Sequence, residues 1–170
     1  MPGRLFKSRF FLSILTGVLL TVAWPPLSLS PLLFIAFVPL LFAISTLYSA
    51  KKVFLYSYLA FFIWTIGTMY WIGNTQLGLK GYVVMTLAWL LIPLFQTFPV
   101  VLFYWVKKYF KYDSSWLFLP FFWVSYEFLH TQWELAFTWL HLGFGLTPMP
   151  FFIQFYSVTG FLGGSFIVWL

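Results

Sequence analysis

The stretch YVVMTLAWLLIPLFQTFPVVLFYWVKKYFK, residues 82–111, decides how this chain is read. From Tyr82 to Val106 no residue carries a charge, and then Lys107, Lys108 and Lys111 arrive together. An apolar run of that length is a candidate transmembrane helix, and basic residues directly after it mark the side the membrane retains. The same arrangement recurs outward from this stretch. Arg4, Lys7 and Arg9 open the chain, Lys51 and Lys52 follow an earlier apolar run, and only Lys80 stands apart. Three basic clusters on alternate connectors give class, helix count and sidedness together.

Composition supports the same class. The 170 residues are 62% hydrophobic and 7% charged. So few charges could not cover a water-soluble core, so lipid is the solvent for most side chains. The net charge of +6 is then a topology signal. Nucleic-acid binding would need that charge gathered on one water-facing surface, so no nucleic-acid partner is expected. Aromatics make up 26%, with ten Trp and ten Tyr. Many stand at span ends, as interfacial belts require. With no cysteine, these residues supply no disulfide, thiolate metal site or thiol nucleophile.

The expected fold is an all-α integral membrane protein of about six helices with a cytoplasmic N-terminus. The spans fall near 10–24, 31–48, 53–72, 82–106, 116–132 and 151–170. Pro25 and Pro26 end the first, because proline disfavours helix at the residue before it. Reading residues 1–24 as a cleaved signal peptide fails at Val22-Ala23-Trp24-Pro25, where small residues would be needed. Pro31 suits a first helical turn, and Pro39, Pro93 and Pro99 predict kinks. Connectors 25–30, 73–81 and 133–150 then lie outside. The last connector carries Trp133, Phe137, Trp139, Leu140 and Phe144 with one charge, Glu134, and should lie in the interface or re-enter the protein. The sixth span reaches Leu170 with no basic stop after it, so the chain is expected to be a truncated piece of a longer protein.

Glu127 is the most unusual residue, a carboxyl about eleven positions into the fifth span. An intramembrane carboxyl is costly and marks a functional site by default. The plainer alternative is a buried carboxyl satisfied by a neighbouring helix. Trp123, Glu127, His130 and Glu134 follow i, i+4, i+7, i+11 spacing and share one predicted helix face. His130 and Glu134, with His141 further on, are too few for a structural metal site, so no metal and no cofactor is expected. Gly160 and Gly164 form a small-xxx-small pair, predicting close approach of the sixth span to another helix. Neither a Ser-His-Asp arrangement nor a phosphate-cradling loop is present, so no catalytic residue is assigned. A transporter is disfavoured, because the first four spans carry almost no ionisable residue.

The run Trp133-Glu134-Leu135-Ala136-Phe137-Thr138-Trp139-Leu140-His141-Leu142-Gly143 resembles the outer segment of apolipoprotein N-acyltransferases. Trp123 with Glu127 resembles the Trp…Glu helix before it. Gln154, then Thr159-Gly160 and Gly163-Gly164-Ser165-Phe166, resemble the Gln…Thr-Gly…Gly-Gly-Ser-Phe stretch after it. Trp24-Pro25-Pro26, with Pro31-Leu32, resembles the first outer turn, and Tyr70-Trp71-Ile72 the end of the third helix. Thr138 stands where the family commonly has Pro. The Trp-Glu-Leu opening is most similar to versions in Bacteroidetes-type bacteria. The resemblance implies a multi-pass protein of the bacterial inner membrane, part of an enzyme moving an acyl chain from a phospholipid to the N-terminal diacylglyceryl-cysteine of a lipoprotein. It also implies a nitrilase-like domain with a Glu-Lys-Cys triad, expected to be missing here, so that this chain alone is inactive. Phospholipid is the expected direct partner, with the lipoprotein engaged through that domain. Trp139, Leu140, Gly143 and Glu127 are the expected lipid-groove residues. The alternative is a non-catalytic polytopic protein that binds lipid or a partner subunit.

Overall fold

The computed structural model describes residues 2–76, 78–110, 113–134 and 136–170. Lys111 of the third basic cluster and Leu135 of the outer segment lie outside the described residues. Among those described there is no strand. The α-helices are α1 (Pro2–Ala23), α2 (Leu33–Ala36), α3 (Val38–Ser45), α4 (Ala50–Met69), α5 (Leu79–Phe110), α6 (Leu119–His130) and α7 (Tyr156–Val168). Short 3-10 turns extend several of them: Ser30–Leu32 before α2, Tyr70–Asn74 after α4, Asp113–Phe118 before α6 and Phe152–Phe155 before α7. Helices α4 with its extension, and α5, are long and apolar enough to cross a membrane.

Many of the hydroxyls on these helices are satisfied within their own helix. Thr21, Thr65, Thr68, Thr86 and Thr97 each donate to the carbonyl four residues earlier. Such back-bonding hides a hydroxyl where water is scarce. Helix α5 continues through Pro93 and Pro99. In the turn before Pro93, the Leu90 carbonyl accepts from Tyr58 Oη of α4 at 3.1 Å. The kink expected at Pro39 takes a different form. The helix is interrupted at Phe37, and Pro39 falls in the first turn of α3, where a missing N–H leaves nothing unpaired. The Leu40 N–H freed by that break donates to Thr16 Oγ1 of α1 at 2.9 Å.

Helix α4 packs on both α1 and α5, and α6 lies between α5 and α7. At the centre, aromatic rings lock the helices to one another. Trp24 meets Trp64 edge-on at 5.2 Å, and Phe37 lies 5.5 Å from Trp123 and 4.1 Å from Trp169. Helices α1 and α4 approach closely through glycine. A Cβ on Gly17 would sit 2.6 Å from the Ala60 carbonyl and 2.7 Å from Ile63 Cβ, and one on Gly67 would strike Thr21. The outward faces carry Phe11, Phe42, Leu55, Leu87, Leu91 and Phe98, all exposed. Gly17→Leu therefore pries α1 from α4 and should cost at least about 2 kcal/mol. Val18→Leu, on the exposed neighbour, should stay within about 0.5 kcal/mol of the parent. Thermal unfolding in detergent decides, and equal melting of the two variants would refute the close approach.

Candidate functional site

Helix α6 starts with Pro120 in its first turn and brings Trp123, Glu127 and His130 onto its buried face. Glu134 lies beyond the end of the helix and is exposed, so three of the four residues expected on that face share it. Glu127 is fully buried. Its Oε1 accepts from Trp123 Nε1 at 2.8 Å and from the Leu142 N–H at 2.8 Å. Leu142 opens the 3-10 turn Leu142–Leu146, whose first N–H groups have no partner within the turn. Glu127 therefore reaches out of its helix to hold the outer segment.

Two further bonds hold the next residue. The Gly143 N–H donates to Ser165 Oγ of α7 at 2.8 Å, and Tyr156 Oη donates to the Gly143 carbonyl at 2.6 Å. A Cβ at Gly143 would collide with the Phe161 carbonyl, and one at Gly145 with the Trp24 ring. Only glycine lets this backbone sink so far between α1 and α7. The clamp accordingly joins Glu127 of α6 with Ser165 and Tyr156 of α7. Tyr156 carried no signal in the sequence beyond its place upstream of the glycines.

The glycine pair in α7 acts differently from the expected packing face. Gly160 has φ +61° and ψ −170°, and no atom lies within 4 Å of a Cβ built there. It is needed for a backbone kink that other residues resist, not for space against a helix. At Gly164 the space is taken by the Tyr156 hydroxyl of the same segment, across that kink.

The expected groove residues separate by depth. Trp139 is 50% exposed and meets Trp71 edge-on at 5.9 Å. It lines a cleft of about 190 Å³ with Trp24, Pro25, Thr138, Phe144 and Thr147. Leu140, Gly143 and Glu127 are buried and touch no open surface, so they can act only from beneath. A second, strongly apolar cleft of about 330 Å³ lies between α5 and α6, lined by Phe95, Phe98, Tyr126, Leu129, His130 and Trp133. His130 lies between two donors, Trp133 Nε1 at 2.9 Å from Nδ1 and the Phe137 N–H at 3.3 Å from Nε2. A neutral ring accepts through one nitrogen at a time. His141 is 2% exposed, with its ring 5.3 Å from Phe161 and 5.8 Å from His130. Among the described residues no three His, Cys, Asp or Glu side chains converge on a metal-sized site.

Two variants test the clamp. Glu127→Ala strands two buried donors at about 1–3 kcal/mol each, whereas Glu127→Gln keeps an acceptor oxygen and should lose less. Melting temperature and protease cutting between residues 133 and 150 report the difference. An alanine variant indistinguishable from the parent would show that the bond bears no weight. His141 adds a pH dependence. Burial pushes its imidazole down to about 4, with His130 adding to the shift. An unfolded ring titrates near 6.5, so between those values only the unfolded chain takes up the proton. Stability is fully present above about pH 6.5 and is lost as pH falls towards 4. From pH 7 to pH 5 the loss attributable to this ring should be about 2 kcal/mol. His141→Phe should flatten the melting curve over that interval, and an unchanged slope would assign it to other groups.

The chain matches the family model of the apolipoprotein N-acyltransferase N-terminal domain over residues 16–170. It is similar to the apolipoprotein N-acyltransferase of Chlorobaculum tepidum, at 32% identity over 171 aligned residues, which cover 99% of this chain and 31% of that protein. It is also similar to the apolipoprotein N-acyltransferase of Geobacter metallireducens, at 29% identity, with 95% of this chain and 32% of that protein covered. The chain spans about a third of the length of these curated relatives. The clamped outer segment, its glycines and the carboxyl beneath it all fall inside the matched region, and the chain belongs to the apolipoprotein N-acyltransferase N-terminal domain family.

Proposed function

We propose that this chain is the membrane platform of an enzyme that moves an acyl chain from a phospholipid to the N-terminal diacylglyceryl-cysteine of a lipoprotein. The observation that carries the reading is the clamped outer segment, which holds Trp139 at the rim of an apolar cleft while its backbone is bonded to α6 and α7. An acyl chain needs an apolar wall, and the half-exposed indole of Trp139 supplies one. The 170 residues contain no cysteine, so they supply no thiol nucleophile, and on this reading they do not acylate alone.

The proposed setting is the bacterial inner membrane, crossed about six times with the N-terminus in the cytoplasm. Helices α4 and α5 have the length for it. The shorter ones gain reach from their 3-10 extensions. Asp113–Phe118 with α6 covers about 30 Å, the thickness of the hydrocarbon core. The ends of α3 and α5 and the start of α4 then share one side with Arg9, Lys51, Lys52, Lys107 and Lys108, as cytoplasmic retention of positive charge requires.

The test is a chimaera in which this chain replaces the corresponding third of the Chlorobaculum tepidum relative. Acylation of a diacylglyceryl peptide is measured with phospholipid as donor. Trp139→Ala in the chimaera should lower kcat/KM for the donor about tenfold, the loss expected for a large aromatic contact in an apolar cleft. Unchanged acylation by Trp139→Ala in an active chimaera would sink the proposal.

A further inference from the structure

At the end where α3 finishes, α4 begins and α5 finishes, a cavity of about 340 Å³ opens to the surface. Its size falls at the lower end of ligand clefts, which run about 300–1,000 Å³. Its wall is apolar and buried: Ile44, Leu47, Val53 and Phe103. Its mouth is different. Lys107 Nζ donates to the Ser45 carbonyl at 3.1 Å and stands 4.4 Å from the centre of the Trp116 ring. Lys108 Nζ stands 5.3 Å from the Trp105 ring, and both lysines line the opening with the exposed Tyr48. Arg9 Nη2 donates to Thr46 Oγ1 at 2.7 Å, bringing another cation to the end of α3. Lys51 and Lys52, both exposed, immediately precede Val53 of the wall.

We propose that this cavity binds one anionic phospholipid, with an acyl chain against the apolar wall and the phosphate between Lys107 and Lys108. An apolar cavity alone would accept the tail of any lipid. Cations at its mouth, on an aromatic collar, select the charge of the headgroup. The site is separate from the Trp139 cleft, which is lined by none of the same residues. The sidedness proposed above decides only which leaflet supplies the lipid, the cytoplasmic one.

The test uses the whole chain, purified from membranes and equilibrated with equimolar phosphatidylglycerol and phosphatidylcholine in non-ionic detergent micelles. Bound lipid is counted by native mass spectrometry. Phosphatidylglycerol should be retained at least about fivefold over phosphatidylcholine, and Lys108→Gln should cut that preference about fivefold, the weight of one lysine at an anionic surface. Lys108 is exposed and its removal leaves the helices packed, so a loss there reads on the lipid. Ser45→Phe, which fills the cavity, should abolish retention of both lipids. Equal retention of the two lipids by the parent chain would overturn the proposal. So would an unchanged preference in Lys108→Gln, full retention in Ser45→Phe, or displacement of the lipid by millimolar inorganic phosphate. Selective binding together with outward labelling of Lys108 would overturn the sidedness and leave the site standing.

Discussion

A backbone N–H buried away from water must find an acceptor, and at Leu142 that acceptor is the side chain of Glu127. The outer segment depends on this constraint. A run of residues rich in Trp, Phe and Leu has every reason to bury itself, but burial exposes its peptide groups to a medium that cannot answer them. One carboxyl oxygen satisfies Leu142 and the Trp123 indole together. Ser165 and Tyr156 then take the N–H and carbonyl of the next residue. The segment can be both apolar and irregular because side chains from two helices, Glu127 and His130 of α6 with Ser165 and Tyr156 of α7, replace the water its backbone would otherwise need.

The bundle beneath meets the same constraint by shorter routes. The threonines bond to carbonyls of their own helices, so they need no partner helix. Where a helix is broken, at Phe37, the freed Leu40 N–H is answered from α1 by Thr16. Near Pro93 of α5, Tyr58 reaches across from α4 to donate to the Leu90 carbonyl. Dispersion between rings does the rest. Trp123 touches Phe37, Phe61 and Trp169, so the residue that donates to Glu127 is also the meeting point of the aromatic core. The site and the core are therefore one unit, and the outer segment cannot loosen without disturbing Trp123.

Much of this was legible in residue order. The 3.6-residue period places Trp123, Glu127 and His130 on one face, failing only at Glu134 where the helix has already ended, and the apolar outer segment was plainly not an ordinary loop. The partners of Glu127 were not legible. Leu142 is fifteen residues away in sequence, and it contributes a backbone N–H, which every residue type possesses. Gly160 and Gly164 show a different limit. Four-residue spacing reads as a packing face, but spacing cannot separate a glycine needed for room from one needed for a positive φ. The true close approach, Gly17 and Gly67 between α1 and α4, sits on two helices and shows no spacing within either one. Proline read well at Pro31, which opens a helix where the missing N–H is harmless, whereas Pro39 read as an internal kink and instead opens α3 after the break at Phe37.

The two ends of the bundle solve opposite problems with the same residue types. Helix α5 has 32 residues and covers about 48 Å, some way beyond a hydrocarbon core of about 30 Å. Its Lys107 and Lys108 can therefore stand past the apolar region, with Trp105 and Trp116 as the surfaces on which the ammonium groups rest. At that end charge is exposed and the aromatics support it. At the other end the carboxyl of Glu127 is buried, and the aromatics cover it. Tryptophan serves both because its face takes cations or hydrocarbon and its N–H takes a carboxylate. Ten tryptophans in 170 residues are thus less a belt at a fixed depth than a set of adaptors between the few polar groups and a chain that is otherwise hydrocarbon.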